Sequence, residues 1–361
     1  MGESTTGRAI RTLLRAGVRA GVFPGAVAAW GKPGEPEIAV AGRTALRRGG
    51  TVVRSDTWYD LASLTKPLAT TTLFLLARRE GKLDLGTRVG DLLPGAGAWG
   101  DVTAAELLTH TSGLPSWRPL YALSDRPADA VDALLALPPE RPRGERAVYS
   151  CLGFILLAAM IETALGAPLP AAFDDRVRRP LGLEGIGFDP PRHASNARGA
   201  VFPRSEQLLV AAGGLPLDRV PALAPNAPDD GNARFLGGAA GNAGLFGVAA
   251  AVHELAAQYL SGHSRLLTAE EIDLATCVRA TVGETRSLGW MLAASPGSSA
   301  GPALSPRSVG HTGFTGTSVW VDPDRCLVLV LLSNRHHPLH RESHLHPVRR
   351  TFHRLASDPS R

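Results

Sequence analysis

The sequence predicts an α+β fold, with one antiparallel sheet assembled from both ends of the chain and a mainly helical region inserted between them. Three observations carry this. Strand-like alternation is confined to residues 25–61 and 288–332. Runs of helical character occupy both ends, and the stretch from Asp101 to Ala280 is helical or irregular. An antiparallel sheet with helices on its faces and a helical insertion is an α+β arrangement. The expected parts are residues 1–100 plus 281–361 for the sheet and 101–280 for the insertion, working as one catalytic unit.

Ala9 to Val22 is apolar but interrupted by Arg11, Arg15 and Arg19, the pattern of an amphipathic helix rather than a signal-peptide core. Gly25–Gly31 and Glu37–Gly42 read as paired strands joined by the Pro/Gly turn from Lys32 to Pro36. Thr57–Leu61 is a further strand, leading into the helical run Leu68–Ala77. Residues 185–245 are rich in Pro, Gly and Ala with little periodicity, and are expected to form a loop layer over the cleft. Leu288–Leu292, Ser308–His311, Thr317–Val321 and Cys326–Leu332 are the late strands, and Glu342–Leu355 the final helix.

With 361 residues, 44% hydrophobic and 20% charged, the chain is globular and long for one compact core. Its net charge of +5 comes from arginine, in short clusters such as Arg141-Pro142-Arg143 and Arg176 to Arg179. No aromatics interleave them and no nucleic-acid motif accompanies them, so a solvated basic surface is expected, with no nucleic-acid partner. Cys151, Cys277 and Cys326 are an odd count without paired spacing, which suits a reducing compartment. With no apolar run of spanning length and no signal peptide in view, a cytoplasmic location without a membrane span is expected.

The chemistry concentrates in Ser63-Leu64-Thr65-Lys66. A hydroxyl and an amine three residues apart on a helix share a face. Pro67 places the helix start nearby, where free N–H groups favour negative charge on the serine oxygen. Lys66 is one of three lysines among 38 Lys plus Arg. Arginine cannot act as a base, whereas a desolvated lysine can. This is a route to an activated serine without histidine.

Two further segments follow at long spacing. Val148-Tyr149-Ser150-Cys151-Leu152-Gly153-Phe154 precedes an apolar helical run, and Gly310-His311-Thr312-Gly313-Phe314-Thr315-Gly316 precedes an alternating one. Together with the Ser63 segment, these resemble the Ser-x-x-Lys, Tyr-x-Asn and Lys/His-Thr-Gly motifs of the serine β-lactamase and penicillin-binding-protein family. The closest likeness is to the branch of class C β-lactamases, D,D-peptidases and β-lactamase-like esterases. Leu107 to Pro115, Asp230 to Arg234 and Gly241 to Phe246 look like further landmarks, so the resemblance covers roughly residues 10–355.

The resemblance implies a β-lactamase/transpeptidase-like fold with the site between its two parts. It implies Ser63 as nucleophile, Lys66 and Tyr149 as the proton-transfer pair, and the amides of Ser63 and Phe314 as the oxyanion hole. It places Cys151, His311, Thr312, Gly313 and Phe314 at the substrate. His311 replaces the lysine of many relatives, so weaker, pH-dependent carboxylate binding is expected. Cys151 departs from the usual Asn. A thiol is a poor donor and acceptor, which disfavours amide-bearing substrates and tilts the expectation toward an esterase or transesterase. Asn242 and Asp229 stand where many relatives have His.

The expected function is a serine hydrolase acting through an acyl-enzyme on a small-molecule ester or amide. Acyltransferase, β-lactamase or D,D-peptidase activity are alternatives, and a non-catalytic binding protein on the same fold is the alternative of a different class. His110 with Ser112 reads as a structural turn, and Gly237–Gly244 lacks a phosphate-cradle pattern. Six histidines lie at 336, 337, 340, 344, 346 and 353, of which His340 and His344 could share a helix face around zinc. A surface helix entry is the preferred reading there, and neither a metal nor another cofactor is expected.

Overall fold

The computed structural model describes residues 4–46, 50–191, 196–197, 204–212, 220–221, 226–337 and 345–358. The strands are β1 (Gly25–Gly31), β2 (Glu37–Gly42), β3 (Tyr59–Asp60), β4 (Ile186–Gly187), β5 (Phe246–Gly247), β6 (Met291–Leu292), β7 (Val309–Thr312), β8 (Ser318–Asp322) and β9 (Leu327–Ser333). Six form an antiparallel sheet in the order β2-β1-β9-β8-β7-β6. The first and last strands of the sequence pair in its interior, where Val27 lies opposite Leu332 and Ala29 opposite Val330.

The period of two sorts the side chains. Ala26, Ala28, Trp30, Leu329 and Leu331 face one core with Ile10, Leu14 and Phe352; Val27, Ala29, Val328, Val330 and Leu332 face the other. The first core is covered by helix α1 (Thr5–Arg19), whose buried Ile10, Leu14 and Gly17 follow helical spacing. Gly17 is needed because a Cβ there would lie 2.7 Å from the Phe23 ring. The last helix, α7 (His346–Ala356), closes the same face; Glu342, its expected start, lies outside the described residues.

The second core runs continuously from the sheet into the helical region. Helix α2 (Thr72–Arg79) continues the nucleophile segment, α3 (Ala104–Leu108) leads to the His110 turn, α4 (Cys151–Leu165) is almost wholly buried, and α5 (Gly231–Phe235) follows the irregular stretch. Helix α6 (Ala249–Ala257) packs directly on β1, β8 and β9 although its sequence lies inside the inserted region. Two expectations are therefore corrected. Tyr59–Asp60 does not join the main sheet but pairs with Phe246–Gly247, which also pairs with Ile186–Gly187, so the insertion contributes two short strands of its own. These pairings are two residues long and set by contacts far apart in sequence, so no local alternation announces them.

Within 185–245 the described residues include a helix at Arg204–Ala212 as well as α5; residues 192–195, 198–203, 213–219 and 222–225 lie outside the description, so the loop layer expected there is only partly covered. The arginine clusters are largely paired: Arg143 with Glu106, Arg176 with Glu80, Arg178 with Asp174 and Arg179 with Asp175. Among the described residues no single helix is long and apolar enough to cross a membrane.

Candidate active site

Ser63 sits in a tight 3-10 turn, Ala62–Leu64, which passes into a π-helical stretch, Lys66–Thr71, before α2 begins. Pro67 explains the wide register, because its missing N–H removes one ordinary helical bond. Its carbonyl also accepts from the hydroxyls of Thr72 and Tyr259. Ala62 is held at φ +49°, a left-handed conformation unusual for a residue with a Cβ. Asp60 fixes this turn by accepting from the Ala62 amide at 2.8 Å and from the Asp229 amide at 2.7 Å. Burial raises the Asp60 carboxyl to about 6, against the lowering effect of those two amides.

Lys66 is fully buried. Its Nζ lies 3.0 Å from Ser63 Oγ, 3.1 Å from the Asn242 carbonyl and 3.5 Å from Cys151 Sγ. The Tyr149 hydroxyl donates to Ser63 Oγ at 2.8 Å, with Lys66 Nζ 4.8 Å from the centre of its ring. Burial lowers the Lys66 amine from its ordinary value. Burial, with the sulfur of Cys151 as the next cause, pushes the Tyr149 phenol well above its own. The pair is thereby separated: the phenol keeps its proton and the amine is the group eased toward neutrality. A neutral amine has two N–H groups for Asn242 and Cys151 and one lone pair for the Ser63 proton, which matches its three contacts.

Cys151 opens α4, and Ser150 caps that helix by accepting from the Gly153 amide at 3.1 Å. Tyr149 is therefore presented from the residue just before a cap. His110 holds it from behind, with ring centres 4.8 Å apart, and accepts from the Ser150 amide at 3.1 Å. His110 itself has φ +60°, so the Leu107–Pro115 landmark is a turn that props the tyrosine.

Strand β7 closes the other side. A Cβ on Gly313 would lie 2.7 Å from the Leu61 carbonyl and 3.3 Å from Ala62 Cβ, so the end of β7 rests against the turn that carries Ser63. Phe314 follows directly after this contact with the nucleophile turn. Thr317 and Thr315 lock the junction by donating to the carbonyls of Leu61 and Asp60 at 3.0 and 2.9 Å. Thr312 and Phe314 are half-buried, and the Phe314 carbonyl accepts from Arg335.

His311 is brought to Tyr149, ring to ring at 5.8 Å. Its Nδ1 lies 3.0 Å from the Thr312 carbonyl, and its Nε2 is buried without a partner among the described residues. Burial, Arg286 and Lys66 push the imidazole well below its usual range. The shift favours the neutral imidazole.

Sequence reasoning missed Arg286. Its guanidinium carbon lies 5.4 Å from the Tyr149 ring centre, it pairs with Glu284, and its Nη1 is buried without a described partner. No motif surrounds it in the sequence, and in a chain this rich in arginine its residue type gives no signal. Asn242 enters through its backbone carbonyl, while its side chain donates to Asp230 at 3.2 Å. Asn232 pins the loop before Tyr121 by accepting from the Leu120 amide and donating to the Arg118 carbonyl, both at 2.8 Å.

A family model described as Beta-lactamase matches residues 10–351. The chain belongs to the β-lactamase family. This family is one of serine hydrolases. An N-acetylmuramyl-L-alanine amidase of Bacillus subtilis (strain 168) is 29% identical over 361 residues, covering 91% of this β-lactamase-family chain and 81% of the amidase. EstCE1, described as a hydrolase with promiscuous acyltransferase activity, superposes with a TM-score of 0.77 at 20% identity, over 98% of each chain. A penicillin-binding-protein homologue from Caulobacter crescentus gives 0.75 at 22%, over 99% of each. At these identities the structural likenesses speak for the fold alone.

Among the described residues no group of three or more His, Cys, Asp or Glu side chains could hold a metal ion. His340 and His344 lie outside the described residues.

Proposed function

We propose that this β-lactamase-family chain is a serine hydrolase that cleaves small esters through an acyl-enzyme on Ser63. The observation that carries the reading is the convergence of Lys66 Nζ and Tyr149 Oη on Ser63 Oγ, with a thiol rather than an amide on the far side of the lysine. Lys66 takes the hydroxyl proton as Ser63 attacks the ester carbonyl. The amides of Ser63 and Phe314 receive the developing negative charge. Tyr149, protonated and within reach of Ser63 Oγ, relays a proton to the departing alcohol and is restored from Lys66. Water, or an acceptor alcohol in an acyl transfer, then releases the acyl group.

A small amide substrate with a free carboxylate is a second reading. It is supported by the unpaired Nη1 of Arg286 beside Tyr149, a buried cation suited to an anionic group. Cys151 weighs against it, because it offers the amide of such a substrate no strong hydrogen bond.

Incubation with a short-chain nitrophenyl ester followed by intact-mass and peptide mass spectrometry tests the reading. An acyl adduct on the Ser63 peptide, absent in Ser63→Ala, is the expected result. Ester turnover that survives Ser63→Ala would overturn it. An N-acyl amino acid cleaved faster than the matched ester would favour the second reading.

A further inference from the structure

A second nucleophile–base pair lies apart from Ser63, at a cavity of about 440 Å3 whose lining includes none of Ser63, Lys66, Tyr149, Cys151 or residues 311–314. Cys326 Sγ lies 3.1 Å from His263 Nε2, within the reach at which an imidazole can take a thiol proton. Both side chains line the cavity, whose walls include Leu260, Ile272, Leu292 and Val321. Cys326 is half-buried and His263 is exposed, so the pair stands at the mouth, open to solvent, while the apolar walls lie deeper.

The backbone makes the placement of this thiol unusual. Asp322 pairs with Leu327, so residues 323–326 form the β8–β9 hairpin loop. Asp322 fixes this loop by accepting from the amides of Asp324 and Arg325 at 3.1 and 3.3 Å. Its last residue is Cys326, at φ +51°, a position that glycine or asparagine would fill at lower cost. A side chain is thus held in a left-handed position that directs its sulfur to an imidazole distant in sequence. A third cavity residue, Cys277, offers a built-in comparison, since no imidazole partner accompanies it among the described residues.

We propose that Cys326, with His263 as its base, is a covalent modification site for small apolar disulfides that enter this cavity. His263 takes the thiol proton, and the thiolate attacks one sulfur of the disulfide R–S–S–R. The S–S bond breaks and a new one forms between Cys326 and R–S. The leaving thiolate takes the proton from His263 and departs as R–S–H. The disulfide is the oxidant and is consumed, and a small thiol in excess reverses the step.

The test uses the full chain and 2,2′-dithiodipyridine below stoichiometric amounts, with labelled peptides quantified by mass. Cys326 should be labelled at least tenfold faster than Cys277, and His263→Gln should slow Cys326 at least fivefold while leaving Cys277 unchanged. Because His263 is exposed, that variant leaves the core intact. Cys326→Gly, which suits the left-handed turn, should fold and lose the fast label. The dianionic 5,5′-dithiobis(2-nitrobenzoate) should lower the Cys326-to-Cys277 ratio at least fivefold, because the apolar walls do not receive its carboxylates and Arg307, which also lines the cavity, is engaged by Asp324. Equal labelling of the two cysteines, or no effect of His263→Gln, overturns the nucleophile–base pair. An unchanged ratio between the two reagents overturns the cavity's part in selecting the disulfide. All readouts are peptide masses, so they stand or fall independently of what Ser63 acts on.

Discussion

Nζ of Lys66 lies 3.0 Å from Oγ of Ser63, and both residues are buried. An amine closed off from water at that distance can give and take a proton, whereas a guanidinium cannot. Lys66→Arg keeps the positive charge and removes the proton exchange. The expected loss in acylation rate is about a hundred- to ten-thousandfold, similar to Lys66→Ala. Single-turnover kinetics with a nitrophenyl ester measures it, with a melting temperature near wild type as the control for crowding. A well-folded variant within tenfold of wild type would show that charge alone suffices.

The same lysine sets a pH limb. Its amine is lowered by burial, and acylation needs the neutral form, so the rate should fall as pH drops through the depressed value. Tyr149 is shifted the other way and stays protonated across that range. Tyr149→Phe should therefore lower the rate without abolishing the acidic limb. Disappearance of that limb in Tyr149→Phe would assign it to the phenol instead.

Cys151 touches Lys66 at 3.5 Å where an amide would both accept from the lysine and donate to substrate. Cys151→Asn should raise acylation by penicillins or nitrocefin more than acylation by a nitrophenyl ester. Pre-steady-state rates for the two substrate classes decide it, and equal changes would mean that position 151 does not select between them.

Gly313 rests on the nucleophile turn, and a Cβ there would lie 2.1 Å from Thr317 Oγ1 and 2.7 Å from the Leu61 carbonyl. Gly313→Ala should cost about 1–3 kcal/mol of stability through overpacking. It should also lower kcat/KM by roughly a hundredfold as the Phe314 amide is displaced. Normal turnover with lowered stability would separate the packing role from the oxyanion role.

Glu206 accepts from the Tyr121 hydroxyl at 2.7 Å, and burial, aided by Asp230, raises its carboxyl to about 7. A carboxyl raised on folding holds its proton more tightly in the native state. Its contribution is full below the ordinary glutamate range and is lost as pH rises through about 7. The shift corresponds to roughly 3 kcal/mol. Glu206→Gln should flatten the fall in stability between about pH 5 and pH 8 and raise the melting temperature at the upper end. An unchanged slope in denaturant titrations would exclude Glu206 as its source.

The six strands of the main sheet, the helices at both ends and the pairing of Ser63 with Lys66 are legible in the sequence because each depends on local signals, whereas Tyr149 enters only through the family resemblance. Alternation in Cys326–Leu332 sorts Leu329 and Leu331 from Val328 and Val330 onto two cores. Proline after Lys66 marks the start of a helix, and a serine three residues before a lysine marks a shared face. The tertiary structure decides what those residues experience. Burial sets the opposite shifts of Lys66 and Tyr149 and holds the His311 imidazole well below its usual range, and packing brings in Arg286, which no motif announces. The pairing of Tyr59–Asp60 with Phe246–Gly247 and the seating of Gly313 on Leu61 join segments about 190 and 250 residues apart. Desolvation and long-range contact arise only when distant segments pack together, so residue types and local spacing carry the elements and the candidate nucleophile but not the protonation states or the architecture around them.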